Sequence, residues 1–173
     1  MNFARYGKAV KALFYVNEGP QERIEKISFE GGQLVSPKTL LEQISSFEGG
    51  PFFNPDIQKD IEKVENFYLN QGVRGTEIFA AIEKVDENLF SVFFTIREGK
   101  RIKIEKVVIT GNVVTRKRTI LRELRVKEED YAFYDRIRES KNRLERLGIF
   151  AKVSIEEVPL SAETENLVIS LRE

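Results

Sequence analysis

The stretch Phe94-Thr95-Ile96-Arg97-Glu98-Gly99, followed by Ile104-Glu105-Lys106-Val107, decides how this chain is read. Its counterpart stands 80 residues earlier, from Gly99 back to Gly19: Phe14-Tyr15-Val16-Asn17-Glu18-Gly19, followed by Ile24-Glu25-Lys26-Ile27. Each is an apolar strand closed by Glu-Gly and followed by a second strand. The register continues without a gap, Phe29 with Ile109 and Gly31 with Gly111. A third copy of the strand ending, Leu167-Val168-Ile169-Ser170-Leu171-Arg172-Glu173, lies 75 residues beyond Val92–Glu98. Similarity at a fixed period marks an array of supersecondary units. The unit opens after each Glu-Gly, which divides the chain into 1–19, 20–99 and 100–173. Residues 1–19 are expected to be the terminal strand of an earlier unit, and both ends to be cuts inside a longer array.

Within the first full unit, Arg23–Glu30 reads as a strand with Ile27 and Phe29 on one face. Gly31-Gly32 turns the chain. Ser36 and Pro37 open a short helix whose apolar side is Leu40, Leu41 and Ile44. After Gly49-Gly50-Pro51, Asn54, Pro55 and Asp56 predict the start of a second helix. Its stripe Ile57, Ile61, Val64, Tyr68 has helical spacing, and Gly72 ends it. A hairpin follows. Ile78, Ala80 and Ile82 share one face of its first strand, and Phe90, Val92, Phe94 and Ile96 share one face of its second, with a turn at Asp86-Glu87-Asn88. The second unit repeats the order: strand Ile102–Thr110, short helix Thr115–Leu124, and a longer helix near Tyr134–Leu147 with the stripe Ile137, Leu144, Leu147. Gly148 ends that helix, and two strands follow with Val153, Ile155, Leu167, Ile169 and Leu171 inward. The fold expected is α+β: two tandem β-α-α-β-β modules, each a three-stranded sheet with two helices packed on one face.

The composition narrows the function. Lys+Arg and Asp+Glu both total 28, so no net field attracts nucleic acid or anionic lipid. Arg116-Lys117-Arg118 and Lys100-Arg101-Lys103 read as solvated helix-end or linker charges. The chain has no cysteine and no histidine. That removes thiolate chemistry, disulfides, and the commonest general base and metal ligand. Glu128-Glu129-Asp130 is the densest acidic cluster, and its place before a helix suits the positive dipole end or plain solvation. No glycine pair carries the Lys-Ser/Thr of a phosphate loop. No catalytic, cofactor-binding or metal-binding residues are expected, and the reading is non-enzymatic.

The second unit also carries a recognisable order of motifs: Ile104 to Asn112, Thr115, Ile120, Arg122-Glu123-Leu124, Arg143-Leu144, Leu147-Gly148-Ile149-Phe150 and Val153. The first has Gly50-Pro51-Phe52-Phe53 and Tyr68-Leu69-Asn70-Gln71-Gly72-Val73. Across residues 8–173 this resembles the POTRA (polypeptide-transport-associated) domains of BamA- and TamA-type outer-membrane assembly proteins. Two positions depart from the family pattern, Gly32 where Asn is frequent and Glu129 where Gly precedes Asp. The resemblance implies a periplasmic array, with neighbouring POTRA modules and a C-terminal outer-membrane β-barrel. It further implies unfolded outer-membrane protein clients and accessory assembly lipoproteins as partners. The module also occurs in two-partner secretion transporters, and a structural spacer that binds nothing is a further reading.

The resemblance places the free sheet edge on the strand before the final hairpin turn. An edge strand offers regularly spaced backbone donors and acceptors, so a client strand can add to it with little demand on its sequence. The candidate edges are Arg74, Gly75, Thr76, Glu77, Ile78, Phe79 and Ala80 in the first unit, and Ala151, Lys152, Val153, Ser154, Ile155 and Glu156 in the second. The first is expected to be the more adhesive. There Phe79 and Phe93 either form an exposed aromatic patch or pack on each other or on a neighbouring element. Glu77 and Glu83 read equally as gatekeepers against strand addition. Gly19 and Gly99 are the candidate hinges between modules, or equally plain strand-to-strand turns.

Overall fold

The computed structural model describes residues 2–6, 9–15 and 19–173. It opens with an antiparallel hairpin, β1 (Asn2–Tyr6) and β2 (Ala9–Leu13), where the sequence suggested a single strand. Val16, Asn17 and Glu18 of the first repeat copy lie outside the described residues.

The first module comprises β3 (Arg23–Glu30), α1 (Pro37–Leu41), α2 (Asn54–Asn70), β4 (Val73–Arg74), β5 (Glu77–Asp86) and β6 (Leu89–Arg97). The second comprises β7 (Lys100–Arg101), β8 (Lys103–Thr110), α3 (Lys117–Glu123), α4 (Tyr134–Arg146), β9 (Lys152–Pro159) and β10 (Thr164–Arg172). The two main sheets have the orders β3-β6-β5 and β8-β10-β9. In each, the final strand is central, parallel to the first strand and antiparallel to its hairpin partner. The α+β architecture of two tandem β-α-α-β-β modules is therefore present in full.

Each module has its own core. In the first, Ile24, Ile27, Phe29, Val92, Phe94 and Ile96 from the sheet meet Leu40, Ile57, Val64 and Tyr68 from the helices. In the second, Ile104, Val107, Leu167, Ile169 and Leu171 meet Ile120, Ile137 and Leu144. Phe29 and Phe94 stack at 4.7 Å between ring centroids.

Ser36 caps α1 through Thr39 N, as its sequence position predicts. The cap of α2 is different: Asn54 is already helical, Phe53 holds the extended cap position, and no side chain caps the helix. Three expected core residues face solvent. Leu41 is exposed because α1 is only five residues long and turns just Leu40 inward. Leu147 lies past the end of α4, and Ile82 sits where β5 runs beyond the helix layer. The second stripe is completed by Ser140 rather than an apolar residue.

The sequence repeat recurs atom by atom. Gly49 N donates to Ile24 O (2.7 Å), and Glu129 N donates to Ile104 O (2.8 Å). Ile24 N donates to Gly50 O and Ile104 N to Asp130 O, at 2.9 and 2.8 Å. The carboxylate of Glu48 accepts from Ile27 N, and that of Glu128 from Val107 N. The Glu of each strand ending has a task as well. Glu98 accepts from Leu34 N and the Tyr68 hydroxyl, and Glu173 accepts from Val114 N and Thr115 N. Each therefore ties the end of the central strand to the loop that follows the first strand.

Candidate strand-accepting edges

A three-stranded sheet has two edges, and in both modules they differ. The outward backbone groups at the start of β3 are already taken. Both polar groups of Ile24 bond to Gly49 and Gly50, and Ile27 N bonds to Glu48. The start of β8 is closed in the same way by Glu128, Glu129 and Asp130. The loop between the two helices of each module thus seals the first-strand edge, and the acidic cluster Glu128-Glu129-Asp130 fastens that loop. Lys103 also pairs with Glu129.

The opposite edges are β5 and β9. Among the described residues, the backbones of Glu77–Asp86 and Lys152–Pro159 bond within their own hairpins and to no other element. An uncovered strand edge is a template for another extended chain. Beside β9 runs a groove of about 340 Å³ between the strand and α4, lined by Tyr134, Ile137, Arg138, Lys141, Asn142, Ile155 and Glu157. A strand added to β9 would turn alternate side chains into it. A depression of about 500 Å³ also lies beside β8, with Val107, Leu121 and Val126 in its lining. It borders the edge where Val107 N is already bonded to Glu128.

Glu77, Ile78, Phe79 and Ala80 lie on β5, and Lys152, Val153, Ser154, Ile155 and Glu156 lie on β9. Ala151 precedes β9, and its N donates to Arg172 O at 2.6 Å. Arg74, Gly75 and Thr76 depart from the expectation of a free edge. Arg74 belongs to β4, which pairs with β7, and Gly75 turns the chain at φ 74°. The Thr76 hydroxyl accepts a bond from Gly99 N. Phe79 is 50 % exposed on the open sheet face, with the Arg97 guanidinium 5.3 Å from its ring centroid. Phe93 is half-buried on the same face, diagonal to Phe79 in the β5–β6 register. Glu77 pairs with Arg97 across that hairpin at 3.6 Å.

The joint between modules, where Gly99 lies, is bonded on both sides. A Cβ on Gly99 would stand 1.8 Å from Arg74 O, so the glycine is required by a close backbone approach. Val73↔Arg101 and Arg74↔Lys100 pair on either side, and Ile102 N donates to Gly72 O at 2.9 Å. The Arg74 guanidinium, half-buried, donates to Leu69 O in the first module and to Ala132 O and Glu157 in the second. Five-donor geometry suits arginine to this bridging. Glu165 lies beside the clamp. Burial, reinforced by the negative charge of Glu157 and partly offset by Arg74, pushes its carboxyl up to about 7. Gly19 has φ 65° and stands at the other junction.

Sequence reasoning missed Asp60, which is fully buried in α2. Its carboxylate accepts from Ser45 N (2.8 Å) and Ser46 N (2.9 Å) and pairs with Lys63. Burial pulls its pKa upward, but Lys63 and the two serines together outweigh that and hold it below the ordinary carboxylate value. Ser140 occupies the equivalent place and accepts from Arg125 N at 2.7 Å. The signal was available: Asp60 and Ser140 share one repeat position, and Asp60 falls three residues after Ile57 on the apolar stripe.

The sequence model of the POTRA family, described as "surface antigen variable number repeat", matches residues 22–99 and 102–173. The chain belongs to the POTRA family. Among curated relatives it is 30% identical over 166 residues to the outer membrane protein assembly factor BamA of Nitratidesulfovibrio vulgaris, covering 92% of this chain and 21% of that protein. It is 27% identical over 158 residues to BamA of Neisseria meningitidis, covering 90% of this chain and 20% of that one. The chain thus spans about a fifth of the length of these relatives. Among solved structures, a BamA from Haemophilus ducreyi lacking POTRA domains 1–3 superposes with a TM-score of 0.72 at 19% identity. That match covers 89% of this chain and 29% of that one. At this identity it shows the POTRA fold alone.

Proposed function

We propose that these two POTRA modules form part of the periplasmic segment of an outer-membrane β-barrel assembly protein. They receive unfolded outer-membrane protein clients by adding client strands to the open edges β5 and β9. The observation that carries this reading is the asymmetry of the sheets: the starts of β3 and β8 are closed by the chain's own loops, and the edge at β5 and β9 is open along its length. Backbone hydrogen bonding supplies affinity without a fixed side-chain sequence, which suits a receptor for many clients. The groove along α4, part apolar at Ile137 and Ile155 and part charged at Arg138, Lys141 and Glu157, would take alternate side chains of an added strand. It favours β9 over β5 as the principal edge, the reverse of the order expected from Phe79. The Arg74 joint would hold the two edges in one relative orientation, and accessory lipoproteins would bind elsewhere on the array. The non-enzymatic reading fits this role.

The test is site-specific photocrosslinking in the full-length protein in cells. A photoreactive residue at Glu156, exposed on β9, is expected to capture unfolded outer-membrane proteins. The same residue at Glu105, exposed on β8, is expected to capture far less. Equal capture at both positions, or none at Glu156, would remove the open edge from the account.

A further inference from the structure

A buried pair of acids lies at the joint between the modules. Glu165, near the start of β10, is 4 % exposed, and its Oε1 meets no hydrogen-bond donor among the described residues. Glu157 projects from the same face of the neighbouring strand, opposite Leu167. Arg74 arrives from the first module and donates to the Glu157 carboxylate and to Ala132 O, both at 2.9 Å. The other charges around the joint are engaged elsewhere. Glu163, in the turn before β10, pairs with Lys100 of β7, and Lys103 of β8 pairs with Glu129. Arg101 of β7 lies over the Tyr131 ring, and Glu98 holds Leu34 N and the Tyr68 hydroxyl. On α4, Arg138 pairs with Asp135 and Lys141 with Glu145. The repeat shows that the fold does not need acids here. Phe90 pairs with Ile24 as Glu165 pairs with Ile104, and Ile82 holds the register position of Glu157. Phe52 matches Ala132, and Phe52 stacks on Phe90 at 4.4 Å. The first module thus fills this corner with apolar contact, and the second places two carboxyls and another module's arginine in it.

We propose that Glu165, Glu157 and Arg74 form a proton-sensitive latch between the modules: one proton held between the two carboxyls keeps the joint closed, and its loss to water lets the joint open. With Glu165 neutral, its hydroxyl donates to the Glu157 carboxylate, which also accepts from Arg74, and one cation faces one anion. With Glu165 ionised, two buried carboxylates face a single guanidinium. Water reaches the second carboxylate only when Arg74 and β4 draw away. Closure raises the proton affinity of Glu165 through burial first and the charge of Glu157 second, against an opposing pull from Arg74. The neutral carboxyl therefore favours closure in full below the ordinary glutamate value, and that contribution is lost as pH rises through about 7. Client binding at β5 or β9 is not required for this inference.

The test is single-molecule energy transfer between dyes on two introduced cysteines, since the chain has none of its own. Gln58 on α2 and Arg118 on α3 are exposed and lie in different modules. At pH 5 a single narrow distance population is expected. Between pH 5 and pH 8 the ratio of closed to open joints should fall roughly tenfold, the effect of one unit of difference in proton affinity between the two states. Glu165→Gln is neutral at either pH and still donates to Glu157, so it should keep the narrow population at pH 8. A dye pair within the second module, at Arg118 and Arg146, should report one distance at both pH values and so separate joint opening from unfolding. A native distribution that does not change with pH, a change that survives Glu165→Gln, or a matching change in the pair within the module would overturn the proposal.

Discussion

The two modules share backbone hydrogen bonds at matching positions and differ in the side chains that support them. Where the first seats a buried Asp60 with Lys63, the second seats Ser140, and Arg143 turns instead to Glu123. Where the first has Gly49 at φ 81°, the second has Glu129 at φ 72°. The first anchors Glu98 with the Tyr68 hydroxyl, and α4, four residues shorter than α2, has no equivalent turn. The difference teaches that the unit is specified by where its loops return to the first strand. The groups that satisfy each return are interchangeable, at different energetic cost.

Three sets of substitutions sharpen this comparison. The largest effect is expected at the buried helix position. Asp60→Ala leaves the Ser45 and Ser46 amides without their acceptor and removes the carboxylate partner of Lys63, and should cost about 3 kcal/mol in urea unfolding. Ser140→Ala frees a single amide and should cost about 1 kcal/mol. The folded pKa of Asp60 is depressed, so its contribution is present above the ordinary carboxylate pKa and is lost as pH falls through the lowered value. The deficit of Asp60→Ala should therefore shrink in acid, and that of Ser140→Ala should not. Equal, pH-independent costs would erase the distinction.

A smaller effect is expected at Glu165, whose carboxyl is raised rather than lowered. The folded form then holds its proton more tightly than the unfolded chain does. Stability from this group is greatest in acid and declines as pH rises from the ordinary glutamate value to about 7. Glu165→Gln should leave the melting temperature at pH 5 little changed and stabilise the protein at pH 8, by on the order of 2 kcal/mol. A loss of stability at pH 8 would mean that the charged form is held by the Arg74 clamp.

The smallest effect tests the backbone at the shared loop. Gly49→Ala places a side chain in the left-handed region and should cost about 1 kcal/mol. Glu129→Gly should stabilise by about half as much, since the exposed pair with Lys103 contributes little. A destabilised Glu129→Gly would show that the carboxylate matters more to the loop than the backbone strain does.

Much of this architecture was legible because a repeat of 80 residues aligns glycines, apolar alternation and helix punctuation in both units at once. Ile27, Phe29, Val64, Phe94 and Ile169 follow directly from periods of two and of 3.6, and all are buried. What escaped depends on contacts between elements distant in sequence. The Glu of Glu-Gly was visible as a marker, but its bonds to Leu34 N and Val114 N connect strand ends to loops about 60 residues away. Gly99 read as a hinge because a glycine required by close approach looks, in sequence, like one that is free. The site was half legible. The resemblance pointed to the strand before the final hairpin turn, and β5 and β9 do lie at sheet edges, but the segment Arg74–Thr76 turns inward to the joint, and the groove beside α4 has no signature in β9 itself.

The measurement that reaches the central claim most directly is an NMR titration of these two modules with a peptide from an outer-membrane barrel strand, beside a scrambled control. The account predicts saturable shifts along Lys152–Val158, with accompanying shifts at Ile137 and Lys141 across the groove, and none along Lys103–Thr110. Saturable shifts confined to β3 and β8, or a flat response at millimolar peptide, would contradict it.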